Sequence, residues 1–154
     1  TDKILLAAVL SASFWAGLKL QNTGVYTNDA NQAYFLYASD NDQGALTTNA
    51  NLHFIYSVAG ADTITDLGIA VAANTAYHLK ICIDSNRKVA VYVNGVQYSL
   101  GTEAVESTTG PGNTISTALT DDIDLIPYVG IQAHAAAAKT LHLSWETINR
   151  VVFE

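Results

Sequence analysis

A chain of 154 residues fits one domain, spanning 1–154, and can hide one hydrophobic core. It is 49% hydrophobic, only 14% charged, and carries a formal charge of −7 with seven basic residues scattered along its length. This argues against nucleic acid or anionic membrane as a partner, since both need clustered Lys and Arg, and no apolar run approaches the roughly 18–20 residues of a membrane-crossing helix. The longest run, residues 4–10, has strand length and lacks the basic flank and cleavage pattern of a secretory signal. Cys82 is the only cysteine, so an internal disulfide is excluded; in its apolar strand context it reads as a small buried thiol. The chain contains no Met, so either a start Met was removed or Thr1 is not the true beginning. A surface this poor in charge leaves neutral areas suited to lie against neighbouring subunits.

The dominant period is two. Residues 3–10 and 14–20 are apolar stretches separated by Ser11, Ala12 and Ser13. Residues 32–38, with Tyr34, Phe35, Leu36 and Tyr37, are strand-like by their aromatics. A polar loop over 39–51 leads to a strand at 52–58, closed by Ala59-Gly60, and to a weaker strand at 63–69 containing Gly68. Residues 75–84 then alternate Tyr77, Leu79, Ile81 and Ile83 against Ala76, His78, Lys80 and Cys82. Ser85-Asn86-Arg87 makes a turn, and 88–94 alternate Val89, Val91 and Val93 against Lys88, Ala90 and Tyr92. Asn94-Gly95 is the favoured pair for a type I′ turn, whose central residues both need positive φ, so 96–100 return as the partner strand. Residues 101–116 have no apolar period and carry Pro111-Gly112, which predicts a long exposed loop. Residues 117–124 form a short link with room for one helical turn. Residues 125–133 read as a strand that Pro127 assigns to an edge or a bulge. The alternation of Leu141, Leu143 and Trp145, then Ile148 and Val151, predicts a final long strand over 139–153. About ten short strands without an amphipathic helix predict an all-β fold, an antiparallel two-sheet sandwich or jelly roll.

The hairpin Tyr77-His78-Leu79-Lys80-Ile81-Cys82-Ile83-Asp84, then Lys88-Val89-Ala90-Val91-Tyr92-Val93-Asn94-Gly95-Val96, resembles that of concanavalin-like and laminin-G-like jelly rolls. Two strands with one core face, closed by tight turns, specify fold better than function. A narrower resemblance spans roughly residues 16–150. Asp124-Leu125-Ile126-Pro127-Tyr128-Val129-Gly130-Ile131-Gln132-Ala133, followed by Ala136-Ala137-Ala138-Lys139-Thr140-Leu141, is similar to the C-terminal end of a family of tailed-phage virion proteins. In that family the same strand follows a Tyr-x-Asn-Gly hairpin and leads through an Ala-rich turn to a last strand. Ala16-Gly17-Leu18-Lys19-Leu20 and Ser85-Asn86-Arg87-Lys88 also fit the pattern. The sequence departs from it over 102–116, where the loop is longer and includes Glu103 and Glu106.

The chemistry in the sequence is sparse. Glycoside hydrolysis needs two carboxyl groups about 5–9.5 Å apart, usually set along one strand as Glu-x-Asp-x-x-Glu; no such spacing occurs. Asp121, Asp122 and Asp124 read as turn formers, and Asp84 as the terminator of its strand. Asp40-Asn41-Asp42 before Gly44 could offer oxygens to calcium, but no Glu closes a twelve-residue cage, so a solvated turn is expected. His53, His78, His134 and His142 lack the spacing of a metal pair and are expected to be partly buried or solvent-facing. Cys82 and His78 share a strand parity but stand roughly 13 Å apart, too far to act as nucleophile and base. Phe14, Trp15, Phe35, Tyr77, Tyr92 and Trp145 fall in strands and are assigned to the core; Tyr26, near Asn28, is the loop aromatic.

No enzyme activity, cofactor or metal is therefore expected. The resemblance implies a virion structural protein, most simply a capsid decoration (cement) protein. It would pack against other virion proteins, capsid or tail subunits, and form a homo-oligomer for which a trimer is the first arrangement expected. The alternative is a carbohydrate- or receptor-binding module of a phage tail or fibre, using loops around Tyr26 and Asn28, Asp40 and Asp42, and Glu103, Glu106, Thr109 and Asn113.

Overall fold

Period two along the chain builds antiparallel sheets, and the computed structural model describes residues 1–7, 9–20, 30–39, 46, 50–100, 104–106, 113–115, 117–121 and 123–149. Twelve strands and no helix occur among them: β1 (Asp2–Leu6), β2 (Ala12–Lys19), β3 (Gln32–Ala38), β4 (Asn51–Val58), β5 (Ala61–Ala70), β6 (Ala76–Ile83), β7 (Val89–Val93), β8 (Val96–Tyr98), β9 (Ala104–Glu106), β10 (Asn113–Ile115), β11 (Ile126–Ala133) and β12 (Leu141–Glu146). One five-stranded sheet, here the front sheet, runs β12-β1-β6-β7-β8; the back sheet runs β11-β2-β3-β4-β5; β9 and β10 form a separate ribbon. Every pairing is antiparallel. The expected two-sheet sandwich is the fold.

The core lies between the sheets. Ile4, Leu6, Tyr77, Leu79, Val89, Val91 and Val93 of the front sheet meet Phe14, Phe35, Tyr37, Leu52, Phe54 and Tyr56 of the back sheet. Phe35 and Phe54, directly opposite on β3 and β4, pack edge to face with centroids 5.2 Å apart. Gly17 is required by space: a Cβ there would stand 2.4 Å from the Ala33 carbonyl oxygen and the Tyr34 Cα. Both tight hairpins behave as read. Asn94 and Gly95 take φ of 52° and 82° between the paired Val93 and Val96, and Ala59-Gly60 closes β4–β5 with 52° and 85°. Asp84 ends β6 as expected, its Oδ1 accepting from the backbone N–H of Asn86 and of Lys88.

All four edges of the large sheets are blunted. β11 carries Pro127, and β8 is three residues long. β5 bulges, because Leu52 faces Ile69 while the next residue, His53, faces Asp66, leaving Leu67 and Gly68 unopposed. β12 bulges at Ser144, between the partners of Lys3 and Ile4. Pro, bulges and shortness all discourage a further strand from adding to the sheet.

Four expectations need correction. The loop predicted over 101–116 contains the ribbon β9–β10, with β10 lying beside β7; three-residue strands are too short for a period to show in sequence. The apolar run over 3–10 ends as a strand at Leu6, and Leu10 sits in the following turn, 77% exposed. The final strand stops at Glu146, with Ile148 exposed beyond it. The link over 117–124 has no helical turn among its described residues; it is held by Leu119, which is buried in the core, donates its N–H to the Arg87 carbonyl and accepts at its own carbonyl from Arg87 Nε.

Candidate binding surfaces

The two sheets offer very different outer faces. On the back sheet, β2, β3 and β4 are buried almost residue by residue. Their outward residues Trp15, Tyr34, Leu36, Ala38 and Ile55 form a second apolar cluster that Leu46 completes, with Ile64 and Tyr128 at its margin. Trp15 stacks on Tyr128 at 5.7 Å, and its indole lies where a Cβ on Gly130 would fall, 2.5 Å away. Polar groups are enclosed with them. Lys19 is fully buried with its Nζ 5.0 Å from the Tyr128 ring centroid, and the buried Gln32 donates to the buried Ser57, which donates to Asp62 at the exposed rim.

His53 is a fully buried titratable group of this face. Its Nδ1 lies 3.0 Å from the Asn51 carbonyl, which only accepts, so Nδ1 carries the proton. Nε2 faces Asp66 Oδ2 at 3.8 Å, beyond hydrogen-bond range, and takes no hydrogen bond among the described residues. Asp66 instead accepts from Gly68 N–H at 2.7 Å and from Asn51 Nδ2 at 2.9 and 3.1 Å, which ties the bulge to β4. Burial lowers the His53 pKa below its ordinary 6.5, although Asp66 and the Asn51 hydrogen bond pull upward. A fully buried His53 corrects the expectation of partly buried or solvent-facing histidines.

The front sheet is open on its outer side. Lys3 faces His78 across β1–β6, Leu5 faces His142 across β1–β12, and Lys80, Tyr92 and Gln97 form one row across β6, β7 and β8. His78, Lys80 and His142 are exposed. Lys80 Nζ stands 5.0 Å from the Tyr92 ring centroid. Partial burial raises the Tyr92 phenol above its ordinary pKa, with Cys82 adding to the shift and Lys80 opposing it. Tyr92 and Cys82 are both half-buried here, which corrects their assignment to the interior, while Ala90, opposite Cys82 on the same face, is fully buried.

Ser13 and His134 form a contact that sequence reading missed, Oγ to Nε2 at 2.6 Å across 121 residues of chain. Ser13 is fully buried, so its hydroxyl is closed to a substrate. The bond pins the end of β11 to β2, beside the hydrogen bond from His134 N–H to the Ser11 carbonyl. At this end the exposed Leu10 lies near the exposed Ala135, Ala136, Ala137 and Ala138, an uncharged surface made by two connections.

Of the loop residues singled out in sequence, Tyr26, Asn28, Asp40, Asp42, Glu103 and Thr109 lie outside the described residues. Glu106 and Asn113 are described in backbone, and the fold brings them together as direct partners on the ribbon. Among the carboxylates, Asp121 is exposed and pairs with Arg87 at 3.3 Å. No group of three or more His, Cys, Asp or Glu that could hold a metal occurs among the described residues. No family model, no curated protein and no solved structure matches this chain.

Proposed function

We propose that this domain is a structural subunit of a tailed-phage particle, most simply a capsid decoration protein that works by packing against neighbouring subunits. The observation that carries the proposal is a two-sheet sandwich with four blunted sheet edges and an uncharged end formed by Leu10 and Ala135–Ala138. Such a surface favours association by apolar contact of preformed shapes rather than by sheet extension. The ordered resemblance of the Tyr92-Val93-Asn94-Gly95 hairpin, the Leu125–Ala133 stretch and the Ala-rich connection to virion proteins supports the same reading. The test is co-sedimentation of the purified domain with capsids and with tails. Binding to capsids at fixed stoichiometry is expected; binding to neither particle overturns the proposal.

A second reading, a receptor-binding module of a tail or fibre, draws on the ribbon. Glu106 and Asn113, both read from sequence as ligand-contacting, occupy opposite positions of one two-stranded element. Retention on host polysaccharide, lost in a Glu106→Ala/Asn113→Ala variant, would favour it.

A further inference from the structure

We infer that the outer face of the front sheet is a self-association surface, seating the acidic end of a second copy of this chain in a head-to-tail contact. The inference rests on the reading of the domain as a packing subunit and names its partner.

Three observations lead to it. First, the fold gathers basic side chains that the sequence disperses, two of them the lysines Lys3 and Lys80. Lys3 and His78 are opposite neighbours, with Cβ atoms about 4.5–5.5 Å apart in such pairs. Lys80 follows two residues along β6, and His142 lies on the same face beside Leu5. No Asp or Glu occupies this face among the described strand residues. The Lys80 ammonium is held over the Tyr92 ring, so part of its side-chain freedom is already restricted before a carboxylate arrives.

Second, the same chain supplies the complement. It carries fourteen acidic residues against seven basic ones. Asp62 and Asp124 are exposed near one end of the sandwich, since Asp62, Ser57, Gln32, Lys19 and Ile126 lie in one row across the back sheet and Asp124 leads into Ile126; Asp121, paired with Arg87, lies beside them through the Thr120–Asn31 hydrogen bond. One positive face and one negative end on a single chain are the requirement for a heterologous contact, which closes into a ring when the rotation allows, a trimer being one such ring.

Third, the size is suitable for a contact of moderate strength. Five strands about 4.8 Å apart and roughly 20 Å long make a face on the order of 500 Å². This is below the ~800 Å² per partner of a standard interface, so the association should depend on concentration and salt.

The experiment is the solution mass of the chain by light scattering across concentration, at about 50 mM and about 500 mM salt. Self-association at low salt, weakened at least about tenfold at high salt, is expected. Lys3→Glu/Lys80→Glu should be monomeric at low salt, with its melting temperature recorded to show that it folds. Mixing it with Asp62→Lys/Asp124→Lys should restore association, because the reversed charges meet again. A monomer under all conditions overturns the inference, as does an oligomer indifferent to salt and to the charge reversal. So does a monomer whose Lys3 and Lys80 instead retain duplex DNA or polygalacturonate. Particle binding by a monomeric domain would sink this inference while leaving the packing role intact, so the two fail separately.

Discussion

The back and front sheets have five strands each, yet they use their side chains differently. β3 of the back sheet is buried at every position, whereas β6 of the front sheet alternates buried Tyr77 and Leu79 with exposed His78 and Lys80. The back sheet is thus buried on both faces, packed on the core within and against Leu46 without. The front sheet is a surface. A strand with both faces buried can read as a continuous apolar run, and one with a single buried face as an alternation. The difference teaches where function has room: the back sheet's polar groups are locked into its packing, while those of the front sheet face solvent.

The sharpest way to break this comparison is to truncate an outward residue of the back sheet. Leu36→Ala is expected to lose about 2–5 kcal/mol in urea unfolding, as much as Leu79→Ala in the central core, since both side chains are about 1% exposed. A neutral Leu36→Ala would mean that the outer face of the back sheet is not enclosed. Gly130→Ala tests the same face by overfilling it. Its Cβ would meet the Trp15 indole at 2.5 Å, and the strain should cost about 1–3 kcal/mol. Stability unchanged by that substitution would show that Trp15 is free to move aside.

His53 sharpens the comparison through pH. Its folded pKa lies below the unfolded 6.5, so as pH falls the native state takes up fewer protons than the unfolded chain. The associated stability is complete above about pH 6.5 and is lost as pH drops through the folded value. Unfolding midpoints measured at pH 7.5 and 5 should therefore fall less for His53→Gln than for wild type. Equal falls would refute the role of this histidine. The smallest effect belongs to the open face: Lys80→Ala should change stability by no more than about 0.5–1 kcal/mol, the range of an exposed cation–π contact. A larger loss would show that the front sheet is covered after all.

Much of this fold was legible in residues. Tyr77, Leu79, Val89, Val91 and Val93 announced their inward face, Asn94-Gly95 its turn, and Pro127 its edge, because each depends on neighbours within a few positions. The ribbon was not, since strands of three residues carry no period. Nor was the burial of His53, the half-exposure of Cys82 or the Ser13–His134 bond. Parity assigns a residue to one of two faces but does not say whether anything lies on that face.

By itself the sequence determined that this chain folds into antiparallel sheets with a low-charge surface, because strand period, turn chemistry and composition are local or additive properties. Only the tertiary structure decided which sheet would be enclosed and which left open. It alone gathered Lys3, His78, Lys80 and His142 onto one face from strands as much as 139 residues apart in number. Strand order and layer stacking come from long-range pairing, and long-range pairing sets the surroundings that make a side chain buried, charged or available.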